Sequence, residues 1–387
     1  MGSNSPTHDP LPSSTSSSVH LTHPTPDERK VTWTLNSRNW GVALSLDDYI
    51  QREEHLMETP LSRNSGVTHW ILTPNASAPD SRPILATCET LRKRALVRSA
   101  DGEVRDVITH GIGSVFADPK YRGRGYAGRM LRDVGEKLKT WQTNEGTECL
   151  FSILYSDIGK TYYAGHGWVP FPSTHVEFPP NPQTSSQETA GLAKPLTDAE
   201  LPPLCALDEQ YIRQELSNIK DDRVRVALIP DYDTMVWHHM RENFMTKKLF
   251  GRSPTVKGAI AGESGSRVWA VWTRMYTGLL DKSDSENILH ILRLVIENDS
   301  AQETAANAEK LKSILEVAQR EAKEWRSGHV ELWNPTPYVR SLVQSLAVEH
   351  SEVEREKDSI ASLRWYGHGS GGVENIEWVG NEKHGWC

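Results

Sequence analysis

Hydrophobic and polar positions alternate with different periods along the first half of the chain. Between residues 126 and 141 the apolar side chains recur about every 3.6 residues, which predicts an amphipathic helix. Apolar runs predict strands before and after this helix, at 68–73, 84–91, 107–116 and 148–155. A helical pattern also covers 26–56, with Ser45 or Asp47 as a capping residue, and a short helix is expected at 159–165.

The second half repeats this order of elements. Residues 256–261 and 267–276 predict a hairpin, and 288–297 predicts a further strand. The long amphipathic pattern of 303–325 predicts a helix. A strand at 329–333 and a last helix at 338–346 are expected after it. We interpret the repeated order of strand, helix, strand and helix as a structural duplication.

Composition divides the chain into a tail, two folded parts and a connection. Residues 1–22 are small, polar and interrupted by prolines, which predicts a disordered tail. The two folded parts are expected at 23–175 and 204–387, because the length is too great for one small core. Residues 176–203, rich in Pro, Ser, Thr and Gln, are interpreted as the linker.

The charge balance and the cysteines narrow the class of protein. The formal net charge of −8 argues against a nucleic-acid scaffold and mildly favours cationic substrates. No apolar run is long enough to predict a membrane span. Four widely spaced cysteines fit a reducing compartment, and the N-terminal residues do not resemble a signal peptide. We therefore expect a cytoplasmic protein that binds neither nucleic acid nor membranes, and the oligomeric state stays open.

One short segment suggests a metal site on first inspection. His238 and His239 are followed by Glu242, but this spacing is not that of the H-E-x-x-H motif, and no third ligand is evident. The cysteines form no C-x-x-C pair that would indicate zinc. We therefore predict a surface helix at this position and no metal site.

Residues 114–128 carry the clearest chemical signal. A predicted strand ends here, a turn with Gly123 and Gly125 follows, and the helix starts at once. Glycine permits backbone conformations in which the amides of the turn converge on an anion, and the helix adds its free N–H groups. Arg122 and Arg124 supply full charges, so we interpret the turn as a pyrophosphate cradle. A tight turn with two surface arginines is the alternative.

Two motifs resemble those of the GCN5-related N-acetyltransferases (GNAT). Arg122-x-x-Gly125-x-Ala127, preceded by Pro119-Lys120-Tyr121, is similar to the family's R/Q-x-x-G-x-G/A motif. Tyr162-Tyr163-Ala164-Gly165-His166-Gly167-Trp168 is similar to its F-Y-x-x-x-G-F block. More widely, the chain resembles the fungal lysine N6-acetyltransferases over 33–53, 86–94, 111–141 and 151–168.

This resemblance implies an α+β fold in which the central mixed sheet of a GNAT domain has two splayed strands. It also implies a second GNAT-like lobe that shapes the acceptor site. Asn298-Asp299-Ser300-Ala301 stands where a second cradle would be, so we expect this lobe to lack the cofactor motif. One acetyl-CoA site per chain is the resulting prediction.

The family's binding mode assigns the contacts to acetyl-CoA. The backbone groups of Val115 and Ala117 would pair with the pantetheine arm. Ser156 stands where many members carry an asparagine, and it is the corresponding candidate here. The pyrophosphate would be held by the backbone amides of Arg122, Gly123, Arg124, Gly125, Tyr126 and Ala127.

Tyr163 matches the family's tyrosine that protonates the leaving CoA thiolate. A phenol with a pKa near 10 stays protonated at neutral pH and can donate its proton as the thiolate forms. The alternative is an aromatic side chain that only packs the short helix. Tyr162 is the adjacent candidate, and we expect it to face the core.

The nucleophile would be the substrate amine, and a base must deprotonate it because the pKa of a lysine side chain is near 10.4. Glu89 is the first candidate, with a salt bridge to Arg92 or Arg94 as the alternative. The terminal carboxylate of Cys387 is the second, because some two-lobed members bring the C-terminus into the active site. Asp157 is the third, unless it caps the helix that follows.

The resemblance implies an N-acetyltransferase that transfers acetyl from acetyl-CoA to the side-chain amine of free L-lysine by direct attack in a ternary complex. Polyamines, amino sugars and protein lysines are alternative acceptors. A protein that binds acyl-CoA without turnover and serves as a scaffold is the competing class, which an intact Tyr163 disfavours.

Overall fold

Two mixed β-sheets with helices packed against them organise the chain. The computed structural model describes residues 11–181, 192–282, 287–367 and 372–386. The mixed sheets confirm the predicted α+β fold class. None of the helices in these residues combines the length and apolar character that crossing a bilayer requires. The helices are α1 (Pro26–Trp40), α2 (Leu46–Met57), α3 (Tyr126–Leu138), α4 (Leu201–Asn218), α5 (Tyr232–Phe250), α6 (Thr304–Glu324) and α7 (Pro337–Ser345).

The first sheet is built mainly from the first half of the chain, and α3 covers it with Met130, Leu131 and Val134. β4 and β5 are parallel in this sheet. Its strands follow the order β1 (Val19–Thr22), β2 (Val67–Pro74), β3 (Ala86–Arg98), β4 (Val104–Phe116), β5 (Cys149–Ser156), β15 (Ile360–Trp365) and β6 (Val169–Pro170), with β9 (Val224–Leu228) beside β3 and β16 (Ile376–Val379) beside β9.

The second sheet is covered by α6, whose residues Leu311, Ile314 and Leu315 are fully buried in its core. β12 and β13 are its parallel pair. Its strands follow the order β14 (Ser351–Glu354), β7 (Thr174–Phe178), β13 (His329–Trp333), β12 (Asn287–Ile296), β11 (Val268–Tyr276), β10 (Gly258–Ala261) and β8 (Ala193–Leu196).

The predicted elements agree with these bounds where the periodicity is long. The helix expected at 126–141 is α3, and the hairpin expected in the second half is formed by β10 and β11. The helical pattern of 26–56 is divided, because the chain leaves helical geometry at Gly41 and starts α2 with Ser45 as its N-cap. The short helix expected at 159–165 is only a 3-10 turn at Ala164–His166.

Chain order and sheet membership do not coincide. β9, β15 and β16 come from the second half but complete the first sheet, whereas β7 joins the second. The prediction of disorder through residue 22 is wrong for β1, whose backbone pairs with β2. The predicted linker at 176–203 contains β8 and the end of β7, because both find partner strands in the second sheet.

Candidate active site

A bulge near the end of β4 opens the first sheet. β4 carries one extra residue opposite Thr87 and Glu89 of β3, and Ser114 takes a left-handed conformation with φ 52°. The parallel pairing of β4 with β5 stops at Ile112 and Leu154, although both strands continue. The two strands therefore separate, as the family resemblance implied.

The turn after β4 presents backbone amides at this gap. Gly123 and Gly125 have φ angles of 77° and 80°, a region that side chains with a Cβ rarely adopt. α3 begins directly after Gly125, and no side chain caps its N-terminus. Its first N–H groups and its positive dipole end therefore favour an anion at this position. This geometry fits a pyrophosphate.

The turn borders a cleft of about 1340 Å³ that is lined by residues of both sheets, α2, α5 and the C-terminal segment. Arg124 is exposed and does not line the cleft, whereas Arg122 donates from Nε to the Ala117 carbonyl. Ser156 is fully buried, and its hydroxyl donates to the Gly159 carbonyl within its own turn. The predicted cofactor residues that do line the cleft are Val115, Ala117, Arg122, Gly123, Gly125, Tyr126 and Ala127.

Glu89 lines the cleft from β3, beside the bulge. Its Oε1 accepts a hydrogen bond from Ser114 Oγ at 2.7 Å, and its Oε2 lies 3.4 Å from His69 Nε2. Burial raises the pKa of Glu89 to about 7 and lowers that of His69 to about 4, so this imidazole is neutral at pH 7. Glu89 forms no salt bridge with Arg92 or Arg94 among the described ion pairs.

Tyr163 and Tyr162 both line the cleft near the turn. Tyr163 is partly buried, and burial raises its pKa above the ordinary value, so its hydroxyl is protonated at neutral pH. The prediction that Tyr162 faces the core is wrong, because this side chain is exposed. Trp168 is fully buried and fills the core beneath this turn instead.

Asp157 and the carboxylate of Cys387 are the two remaining candidates for the base, and the structure describes only Asp157. Asp157 lines the cleft, and its Oδ1 accepts a hydrogen bond from the Ser359 N–H at 3.1 Å, so it braces the start of β15. Cys387 lies outside the described residues. Its neighbour Trp386 lines the cleft and packs against Trp237 of α5. The C-terminal segment therefore reaches the cleft up to residue 386.

A polar cluster on the second sheet forms another wall of the cleft. Glu177 of β7 and Glu331 of β13 stand directly opposite each other. His175 Nε2 lies 3.0 Å from Glu177 Oε1, and His329 Nε2 lies 2.9 Å from Glu331 Oε1. His175, Glu177 and Glu331 come close enough together to hold a metal ion. No local sequence pattern indicates this cluster, because the pairing of β7 with β13 joins residues more than 150 positions apart.

Arg355 determines how this cluster is protonated. Its Nη1 lies 3.2 Å from His175 Nδ1, and a guanidinium can only donate, so Nδ1 is the acceptor. His175 Nε2 is then the nitrogen that donates to Glu177 Oε1. A metal ion would need the lone pair of that nitrogen. The contacts therefore describe a hydrogen-bonded network rather than a set of metal ligands.

The prediction of a surface helix at His238, His239 and Glu242 is wrong. All three are buried in α5, which packs against both α2 and β11. Glu242 is paired with Lys257 at 2.5 Å and with Arg274 at 2.6 Å. A helix enclosed on several sides has no single apolar stripe, and for that reason its pattern did not indicate burial.

The second half of the chain matches a known family. The sequence model described as the LYC1 GNAT-like C-terminal domain covers residues 175–387, more than half of the chain. The chain belongs to this LYC1-like GNAT family. It is an acetyltransferase of the GNAT type, and the GNAT fold implies that it binds an acyl-CoA.

Two relatives match this GNAT chain over nearly its whole length. A lysine acetyltransferase of Yarrowia lipolytica is 25% identical over 413 residues, which cover 94% of this chain and 98% of the relative. An uncharacterized protein of Saccharomyces cerevisiae is 23% identical over 403 residues, with 93% and 96% covered.

Solved structures share the fold at low sequence identity. A probable N-acyltransferase from Enterococcus faecalis has a TM-score of 0.51 and 12% identity, covering 90% of this chain and 72% of its own. Saccharomyces cerevisiae N-myristoyltransferase with bound myristoyl-CoA has a TM-score of 0.54 and 10% identity, covering 98% and 87%. These similarities confirm the predicted GNAT fold.

Proposed function

We propose that the protein transfers acetyl from acetyl-CoA to the side-chain amine of free L-lysine or a similar small cationic amine. The observation that carries the proposal is that the glycine turn, Glu89 and Tyr163 all line one cleft. Support for the acceptor comes from the Yarrowia lipolytica relative, which is a lysine acetyltransferase. The amides of the turn hold the pyrophosphate, and β4 pairs with the pantetheine arm through Val115 and Ala117.

Glu89 is the proposed base. An amine with a pKa near 10.4 is protonated at pH 7, and only its neutral form has a lone pair to attack a carbonyl carbon. With a pKa of about 7, Glu89 is close to half ionised at neutral pH and can accept that proton. Ser114, held by the bulge, orients the carboxylate through its hydrogen bond.

Tyr163 is the proposed acid. As the C–N bond forms and the C–S bond breaks, the sulfur of CoA takes up negative charge. Tyr163 keeps its proton at neutral pH because burial raises its pKa, so it can donate that proton to the sulfur. Base and acid would act in one ternary complex, which requires direct attack by the amine.

The carboxylate of Cys387 is the alternative base. Appending one glycine after Cys387 would move this carboxylate by roughly 3.5 Å without changing Trp386. We expect kcat to change less than about threefold, because Glu89 remains in place. A loss of 10-fold or more in steady-state thiol release would transfer the base assignment to the chain terminus.

The proposal is tested by measuring thiol release from acetyl-CoA with a panel of amines. The panel contains L-lysine, a polyamine, an amino sugar and a lysine-containing peptide. We expect the highest kcat/KM with L-lysine. Binding of acetyl-CoA without turnover on any amine would instead support the scaffold.

A further inference from the structure

Two buried cations line the cleft without an ion-pair partner, although the charge of Glu53 acts on Arg241 and the charges of Glu331 and Asp157 act on Lys383. Arg241 of α5 is 8% exposed, and Lys383 of the C-terminal segment is 2% exposed. Both lie against the ring of Trp386, with Arg241 Cζ 5.7 Å and Lys383 Nζ 4.3 Å from its centroid. Among the residues that the structure describes, no carboxylate lies within 4.0 Å of either group, and neither makes a hydrogen bond.

Two buried cations elsewhere in the protein are paired with carboxylates. Lys257 lies 2.5 Å from Glu242, and Arg293 lies 2.8 Å from Asp208. A buried charge without a partner is costly, and burial accordingly lowers the pKa of Arg241 to about 9 and that of Lys383 to about 7. An anion bound between the two groups would remove this penalty.

Arg241 lines the same cleft as the proposed base Glu89, and Tyr49 of α2 lines it as well. A ligand that places an amine at Glu89 therefore has Arg241 within the same region of the cleft. The proposed phosphate cradle, with Arg122 and Gly125, lies in the turn between β4 and α3, whereas Arg241 and Lys383 come from α5 and the C-terminal segment.

We propose that Arg241 and Lys383 bind the α-carboxylate of the acceptor, which makes the acceptor a free amino acid. This inference rests on the proposed acetyl transfer to a side-chain amine. A guanidinium offers a fork of two donors that matches a carboxylate, and the Lys383 ammonium adds a second charge. Polyamines and internal lysines of proteins lack this carboxylate and gain nothing from the two cations.

The test compares L-lysine with L-lysinamide, in which a neutral amide replaces the carboxylate and the amine is kept. Hydrogen bonds to charged groups predict a kcat/KM for L-lysine roughly 10- to 100-fold above that for L-lysinamide. Lys383→Met keeps the length and packing of the side chain but removes the charge. This variant should reduce the ratio of kcat/KM for L-lysine to that for L-lysinamide by up to about 10-fold, and it should leave the KM for acetyl-CoA within twofold. Arg241→Met should narrow the ratio further, and Arg241→Lys should restore part of it.

Lys194→Met removes an exposed positive charge that does not line the cleft, and it serves as the matched control, with an unchanged ratio. The inference is wrong if the wild type uses both amines equally, or if Lys383→Met lowers kcat/KM for both by the same factor. Absence of turnover with every amine would refute the proposed transfer. In that case, calorimetry with the CoA-saturated protein tests the carboxylate site separately from turnover. Tighter binding of L-lysine than of L-lysinamide would support the site, and equal binding would refute it.

Discussion

The two lobes contain the same strand–turn–helix unit, but their turns differ. In the first, Gly123 and Gly125 adopt left-handed conformations and leave the helix N-terminus without a side-chain cap. In the second, Asn298 Oδ1 accepts the Ser300 N–H at 3.1 Å, and its carbonyl accepts a hydrogen bond from Asn307 at 2.7 Å. The helix after the second turn also lacks a side-chain cap, so the two turns differ in their left-handed glycines and in the internal hydrogen bonds of Asn298.

The gaps between the parallel strands differ in the same way. Pairing of β12 with β13 ends at Ile291 and Leu332, as pairing of β4 with β5 ends in the first sheet. Beyond that point, the Leu294 N–H donates to Glu382 Oε2 at 3.0 Å, and Arg293 pairs with the same carboxylate. The chain's own C-terminal segment thus occupies the second gap. The same topology therefore leaves a gap lined by the glycine turn in the first sheet and a gap occupied by the chain itself in the second.

Gly125→Val should have the largest effect, because it breaks the open turn. A Cβ at this position would lie 2.8 Å from Ser14 Oγ, and a β-branched residue is strained at positive φ. We expect the Kd for CoA, measured by calorimetry, to rise at least about 30-fold through lost amide contacts. Gly251→Val is the control, since Gly251 is also left-handed but lies at the end of α5. Normal CoA affinity in Gly125→Val would place the cradle elsewhere.

Tyr163→Phe should lower kcat roughly 100-fold, because the departing sulfur loses its proton donor. The Kd for acetyl-CoA should stay within twofold, since the turn is intact. Stopped-flow thiol release and equilibrium binding measure the two quantities separately. An unchanged kcat, or an equivalent loss only in Tyr162→Phe, would remove the acid role from Tyr163.

Glu89→Gln should remove a pH dependence. In the wild type, kcat/KM should rise with pH through about 7 as Glu89 ionises. In the variant, kcat/KM should be at least about 10-fold lower, and its rise around pH 7 should be absent. The same raised pKa makes the folded wild type less stable as pH rises from about 4.5 to 7, because the unfolded state ionises more easily. An identical rate profile in both proteins would argue for the carboxylate of Cys387.

Glu382→Gln should have the smallest effect. It weakens the contacts that fill the gap between β12 and β13 and leaves the gap between β4 and β5 unchanged. Loss of a charged hydrogen-bond partner at Leu294 and Arg293 should lower the free energy of unfolding by about 2 kcal/mol in urea titrations. The stoichiometry of CoA binding should stay at one. Glu374→Gln, on the exposed surface, is the control. A second CoA bound by Glu382→Gln would show that only this segment distinguishes the lobes.

The strand–turn–helix unit of the proposed cradle could be predicted from the sequence because all its parts are local. Gly123, Gly125 and the arginines lie within one strand–turn–helix unit, where residue type and spacing decide the backbone. Glu89 was also identified, but its environment was not. Its contact with Ser114 depends on a bulge that shifts the register between two strands, and no residue pattern indicated that shift.

The proposed acceptor side of the cleft could not be predicted in this way. Arg241 and Lys383 are separated by more than 140 residues, and only the packing of α5 against the C-terminal segment brings both to Trp386. The strands β15 and β16 were also missed. Both are short, and pairing with β5 and β9 holds them in the first sheet.

The position of β15 has a consequence for synthesis of the protein. Because β15 is the neighbour of β5, that edge of β5 stays unpaired until residues 360–365 have left the ribosome. An uncovered edge strand is a template for aggregation. Nascent chains that pause before residue 360 would therefore depend on chaperones, and a fragment expressed from the first half alone should be poorly soluble.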